Sequence, residues 1–212
     1  MTESTLIHPF SETAVEKAVA VLRQGGIVAF PTETYYGLAV DPFNTSALSC
    51  LFTVKKRKTR KPILTLVNSR EQLSQLVRVI PVPFQSLMDR FWPGPLTLVF
   101  EGGPGLPPLL TGHTNTVGVR QSSHPVARQL SSFFGGAITA TSANISGCDP
   151  AVTAGDIVRN FGTGIDIVID GGKTPGGAGS TLVGVKKGRL QLIRDGVIPF
   201  AEITAAAARP VP

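Results

Sequence analysis

The chain of 212 residues, 42% hydrophobic and 16% charged, is long and apolar enough for one sizeable core, which excludes a disordered segment. Its longest apolar runs fall far below the roughly 20 residues of a membrane helix, and Met1 to Glu12 shows no cationic stretch ahead of an apolar one, so neither a membrane span nor a secretory leader is expected. The net charge of +6 fits an anionic substrate or a nucleic-acid partner without choosing between them.

Ser11 or Thr13 is placed to cap a first helix, residues 13–16 having the capping-box form. Val15, Ala18, Val19 and Leu22 make its apolar face, and Gly25 and Gly26 end it. Residues 27–30 read as a strand buried on both faces. It breaks at Pro31 into the polar segment Thr32 to Gly37. Leu48, Leu51 and Phe52 mark a short helix, residues 63–67 a second strand, and Ser69 the cap of a helix through Val77. Phe84, Leu87, Met88 and Phe91 form another helical face, closed by Pro93 and Gly94. Strands follow at 96–100 and 116–120, with a Gly- and Pro-rich loop between them. A helix over 124–134 leads to a small-residue strand at 137–140, and Thr153 caps a helix through Phe161. Residues 165–169, 181–185 and 189–194 read as strands, 171–179 as a mobile hinge or lid loop, and the tail beyond about residue 201 as weakly ordered.

Strands alternating with helices predict an α/β (mixed α+β) fold with one mixed sheet of about seven strands and helices packed on it. No linker divides the chain, so residues 1–212 are expected to form a single domain with its core over about 10–200. Cys50 and Cys148 lack metal-site spacing and are expected to be reduced, buried thiols of a cytoplasmic protein.

The positive charge is concentrated. Six of the seven residues 55–61 are Lys or Arg, and no Asp or Glu occurs between Asp41 and Glu71. With Arg70 that window carries seven positive charges, so the rest of the chain sums to about −1 (6 − 7). A short basic run is most often a solvated loop. This one lies between an apolar helix and an apolar strand, which favours an anion site. Polar segments also follow several strands, at Thr32 to Tyr36, Arg120 to Ser123, Thr141 to Ser146, and Ser180 with Thr181. Singly each is ordinary turn chemistry. Repeated around one basic run, their hydroxyl and N–H groups suit phosphate and carboxylate.

Other chemistries find less support. Gly172-Lys173-Thr174 has the form of the end of a P-loop, but the required earlier Gly falls at Ile167. His8, His113 and His124 lack the spacing of a metal site, and His124, ahead of a proline, reads as structural. The nucleophile elbow of serine hydrolases does not occur. Trp92 reads as a core aromatic at a helix end.

Residues 30–38, Phe30-Pro31-Thr32-Glu33-Thr34-Tyr35-Tyr36-Gly37-Leu38, resemble the P-T-E-T-x-Y-G-L signature of the YrdC-domain family. Lys55 and Arg57 in K-x-R spacing, residues 90–98, 117–120 and 142–147, then Ser180 with Thr181 and Arg194, match further family motifs in order. The resemblance covers roughly residues 10–200. It is to the short, single-domain threonylcarbamoyl-AMP synthases, so the extra C-terminal domain of the longer form is not expected.

The resemblance implies a twisted mixed sheet around a wide, concave, basic cavity. It also implies a reaction in which L-threonine, bicarbonate or CO2, and ATP give threonylcarbamoyl-AMP and pyrophosphate. That is the first step of N6-threonylcarbamoyladenosine formation in tRNA, other proteins making the transfer. By the same resemblance Thr34, Arg120, Ser142 and Ser180 bind L-threonine. Arg57, Lys61, Thr116, Asn144, Thr153 and Arg194 hold ATP. Lys55 and Arg57 are the catalytic pair, Mg2+ is carried by the nucleotide, and no metal is protein-bound. Three positions depart from the family pattern: Lys58 stands where Pro follows K-x-R, Leu66 where a His is common, and Gln121-Ser122-Ser123 where Pro-Asp is usual.

Such a reaction brings a carbamate to the α-phosphorus of ATP, so two anions must meet. Neutralisation by Lys55, Arg57, Lys61 and Arg194 is then the main requirement, and no protein nucleophile is needed. Two alternatives remain at this point. One is a double-stranded RNA or tRNA-binding module that uses the same basic cavity without chemistry; the other is a paralogue acting on another small acid. The scattered hydroxyls and Arg120 at a strand end favour the enzyme. Lys56, Lys58 and Arg60, which have no ligand role, suggest weak tRNA binding in addition.

Overall fold

The structure, a computed structural model, describes residues 6–208. Ser11, not Thr13, starts the first long helix: its side chain accepts a hydrogen bond from the Ala14 N–H ahead of α1 (Glu12–Arg23). The other helices are α2 (Thr45–Val54), α3 (Arg70–Ser74), α4 (Val82–Phe91), α5 (Pro108–Thr111), α6 (Pro125–Phe134), α7 (Ala154–Phe161) and α8 (Phe200–Ala207). Ser69 caps α3, which ends at Ser74 and so falls short of Val77. Thr153 caps α7 in a full capping box with Asp156.

The strands number eleven among the described residues and form two sheets. They are β1 (Ile7–Pro9), β2 (Val28–Pro31), β3 (Tyr36–Ala39), β4 (Thr65–Leu66), β5 (Leu96–Glu101), β6 (Thr116–Arg120), β7 (Ile138–Thr139), β8 (Thr141–Ser142), β9 (Ile167–Asp170), β10 (Thr181–Lys186) and β11 (Arg189–Arg194). The first sheet runs β1-β9-β2-β3-β8, the second β11-β10-β5-β6-β4-β7. Both mix parallel and antiparallel neighbours. The mixed α/β class agrees with the sequence reading, but two sheets stand where one of about seven strands was expected. The strands the sequence did not show, β1, β3 and β8, are two to four residues long, too short to show a period of two. The chain passes from the second sheet to the first between β7 and β8, at Ala140, whose N–H bonds to the Leu64 carbonyl.

Strand β2 shows how the core is divided. Ala29 faces the large cluster that includes Leu38, Leu48, Leu98 and Val119, while Val28 and Phe30 face a second cluster with Val15, Leu22, Val126 and Leu130 of α1 and α6. Alternation along one strand thus buries both sides of the first sheet.

Three other expectations are corrected. Cys50 and Cys148 are exposed, not buried. Cys50 falls opposite the face of α2 formed by Ala47, Leu48, Leu51 and Phe52, and Cys148 lies in a loop. The C-terminal segment is ordered further than expected, because α8 buries Ile203 and Ala206 against the core; residues 209–212 lie outside the described ones. The Gly-rich loop 171–179 is pinned. Tyr36 Oη donates to the Gly172 carbonyl (2.8 Å) and Tyr35 Oη to that of Gly177 (2.6 Å), while Gly176 N–H bonds to Thr34 O and Thr174 N–H to Val152 O.

Candidate active site

Helix α2 ends in a way that sorts the basic run. Lys56 takes the left-handed position (φ 49°) normally held by glycine; its N–H bonds to Thr53 O, and the Arg57 N–H bonds to Phe52 O. This reversal turns Lys55 inward and brings Arg57 to the wall of a cavity, while Lys56, Lys58, Arg60 and Lys61 stay exposed.

The cavity, about 300 Å³ and open to solvent, lies between the two sheets. From the first sheet and its connections come Thr32, Thr34, Tyr35, Tyr36, Gly37, Thr141 and Ser142. Leu64, Arg120, Ser180, Arg194 and Asp195 come from the second sheet or its flanks. Arg57 adds a third guanidinium. Burial lowers the guanidinium pKa of Arg57, Arg120 and Arg194, but all three stay charged.

One end of the cavity is built around Arg120, at the last position of β6 and 4% exposed. Its Nη1 lies 3.5 Å from Thr34 Oγ1 and 3.1 Å from Glu33 Oε1. Thr32 Oγ1 donates to Tyr35 O and lies 3.1 Å from Thr34 Oγ1, which fixes the turn after β2. Arg120 Nε and Glu33 Oε1 are buried without a hydrogen-bond partner among the described residues. The opposite wall pairs Arg194 with Ser180: Nη2 donates to the Ser180 carbonyl (2.8 Å) and hydroxyl (3.1 Å), and that hydroxyl lies 2.7 Å from Thr97 Oγ1. Arg57 is held by the Pro62 carbonyl at 2.8 Å.

Of the residues expected at the site, the structure brings Thr34, Arg57, Arg120, Ser142, Ser180 and Arg194 to this one cavity. Lys55 lies behind the wall, 1% exposed. Its Nζ donates to the carbonyls of Ser142 (2.5 Å) and Asn144 (2.8 Å). Burial, and secondarily Arg57, lowers its pKa to about 7. Asn144 is engaged within its own turn, accepting from Ser142 Oγ and donating to the carbonyls of Ile145 and Cys148. Lys61 is exposed beside the cavity loop. Thr116 sits at the other end of β6, about 13 Å from Arg120 at strand spacing, and bonds to Thr114. Thr153 is occupied as the cap of α7. Leu66 is buried in the second apolar cluster, beside Arg120 in the β4–β6 register.

Sequence reasoning missed Asp195, Leu64 and Pro150 in the wall, and Glu33 behind it. Asp195 had a signal in its position next to Arg194; Leu64 and Pro150 had none. Among the described residues no cluster of three or more His, Cys, Asp or Glu could hold a metal ion.

Residues 20–196 match the family model Sua5/YciO/YrdC, described as telomere recombination. The chain belongs to the Sua5/YciO/YrdC family. It is 38% identical over 192 residues to a threonylcarbamoyl-AMP synthase of Pyrococcus abyssi, covering 91% of this chain and 56% of that relative, so it spans little more than half of that protein's length. A threonylcarbamoyl-AMP synthase of Halorhodospira halophila is 39% identical over 157 residues, which is 74% of this chain and 82% of the relative. Among solved structures, that of P. abyssi Sua5 complexed with L-threonine superposes with a TM-score of 0.90 at 35% identity, covering 96% of this chain and 60% of that one.

Proposed function

We propose that the cavity makes threonylcarbamoyl-AMP from L-threonine, bicarbonate or CO2, and ATP, with release of pyrophosphate. The observation that carries this reading is the placement of buried Arg120, beside the Thr34 hydroxyl, in one cavity with Arg57 and Arg194. That is a carboxylate contact next to two phosphate contacts, in the family whose Pyrococcus and Halorhodospira members bear the synthase name.

Arg120 takes the amino-acid carboxylate, and the hydroxyls of Thr34, Ser142 and Ser180 orient the amino acid so that its carbamate faces the α-phosphorus. Arg57 and Arg194 neutralise the phosphates as charge builds there. Lys55 acts from behind the wall: by gripping two carbonyls it fixes the turn that presents Ser142, and Asn144 fixes the same turn from within. Lys61, Thr116 and Thr153, which are not part of the cavity wall, would add contacts to the nucleotide beyond it. A divalent cation carried by the nucleotide would add to the neutralisation of the phosphates, and Asp195, the one carboxylate in the wall, would be the residue to hold it.

We read residues 1–212 as one working domain, since the wall draws on residues from Thr32 to Asp195 in both sheets. Its products would pass to threonylcarbamoyl-transfer proteins in the cytoplasm. Among the described residues no helix is long and apolar enough to cross a membrane. The exposed set Lys56, Lys58, Arg60 and Lys61 supports an additional, weak phosphate contact with tRNA.

The test is pyrophosphate release from ATP. Release that requires both L-threonine and bicarbonate is expected; release indifferent to threonine would overturn the reading.

A further inference from the structure

Arg120 meets the cavity as half of an ion pair. The side chains of Arg120 and Glu33 are 5% and 13% exposed, so the pair is held away from water. The second oxygen of Glu33, Oε2, accepts a hydrogen bond from the hydroxyl of Ser122. Ser122 is 2% exposed, and its oxygen accepts in turn from the backbone N–H of His124 at 3.2 Å, at the start of α6. That second bond occupies a lone pair of the hydroxyl and leaves its proton for Glu33. Among the described residues Ser122 is the one hydrogen-bond donor to this carboxylate. Neither Ser122 nor Glu33 is part of the cavity wall.

The attraction within a buried ion pair offsets its desolvation only where further hydrogen bonds support it; Glu33 Oε1 and Arg120 Nε have no such partner among the described residues. Here the requirement falls on Ser122, in the stretch Gln121-Ser122-Ser123. We propose that Ser122 is a positioning residue for the carboxylate of the substrate. By holding Glu33 from the α6 side, it sets the angle at which the Arg120 guanidinium meets the cavity, and with it the affinity for a carboxylate ligand. This role rests on the reading of Arg120 as the amino-acid carboxylate contact.

The experiment is calorimetric binding of L-threonine, L-threoninamide and ATP to wild type, Ser122→Ala, Ser122→Cys and Ser122→Thr. The cysteine variant keeps nearly the volume of serine with a much weaker donor, so it decides the question if the alanine variant does not fold. Ser122→Ala and Ser122→Cys should weaken L-threonine roughly ten- to hundredfold, the range for a hydrogen bond to a charged group. ATP and the amide, which lacks the carboxylate, should change by less than about twofold, and Ser122→Thr should keep the wild-type affinity for the acid. Unchanged L-threonine affinity in the cysteine variant overturns the proposal. So does an equal loss for the acid, the amide and ATP, which is the mark of a general packing defect. Wild type that binds ATP but no L-threonine would sink the reading of Arg120 itself, a different and separable result.

Discussion

Lys55 Nζ lies 2.5 Å from the carbonyl oxygen of Ser142, a residue 87 positions away in the chain. A cation expected at the phosphates is thus spent on backbone, tying the end of α2 to the turn after β8. Lys55→Met removes both hydrogen bonds and also the cost of burying the ammonium, two effects of opposite sign. Global stability at neutral pH should therefore change by no more than about 1 kcal/mol. Pyrophosphate release should fall at least roughly tenfold as the Ser142 turn loosens. Urea denaturation and a turnover assay on the same variant check the two halves.

The same lysine should make stability depend on pH. Its folded pKa is about 7, below its ordinary value of 10.5, so between these limits the unfolded chain holds a proton that the folded chain has lost. Stability therefore rises with pH across this window, by at most about 1.4 kcal/mol per unit, and the gain is lost as pH falls through 7. Denaturation at about pH 7, 8 and 9 should show wild type gaining on Lys55→Met. Parallel curves would contradict the assignment.

Arg57 stands in the wall itself. Arg57→Ala should lower turnover by roughly 10²–10³, the loss of about 2.7–4 kcal/mol typical of one contact to developing charge. Arg57→Lys should rescue little, because one ammonium cannot both hold the Pro62 carbonyl and present a planar fork to phosphate. Single-turnover rates on the two variants would separate these outcomes.

The wall is rich in hydroxyls, so L-threonine should be used in strong preference to its near isostere L-valine. Sites built to hydrogen-bond a hydroxyl reject the analogue lacking it by up to roughly 10⁴–10⁵. Competition between the two amino acids for adenylate formation measures the ratio; equal use would place the specificity elsewhere.

Much of this was legible in the sequence because the chemistry sits in short polar turns that follow strong strands. Thr116–Arg120 and Arg189–Arg194 match the expected strands residue for residue, and both end on a cavity arginine. The direction in which each basic side chain points was not legible. A run of cations has no apolar periodicity, so only the helix terminus at Lys56 decides that Lys55 goes in and Lys58 out. Nor could pattern show Glu33 and Ser122 behind Arg120, since that contact joins segments 89 residues apart.

The outward set gives a separate prediction. Changing Lys56, Lys58 and Arg60 together to Ser should weaken tRNA binding at low salt and flatten its salt dependence. Each lost duplex phosphate contact should remove about 0.9 from the slope of log affinity against log salt. Titration of labelled tRNA at several salt concentrations reads the slope, while pyrophosphate release should stay near the wild-type rate. Identical binding at every concentration would leave the loop a solvated surface.

Ala140 carries the chain from one sheet to the other and also forms part of the cavity wall. Any shear between the sheets must therefore alter the gap between Ser142 on one side and Arg120 on the other. A substrate gripped by both would act as a rivet through that seam, converting occupancy into rigidity. At a hundred times its dissociation constant it would add about 2.7 kcal/mol to the folded state. The two halves should then yield to heat together, and later, in the presence of the molecule they clasp.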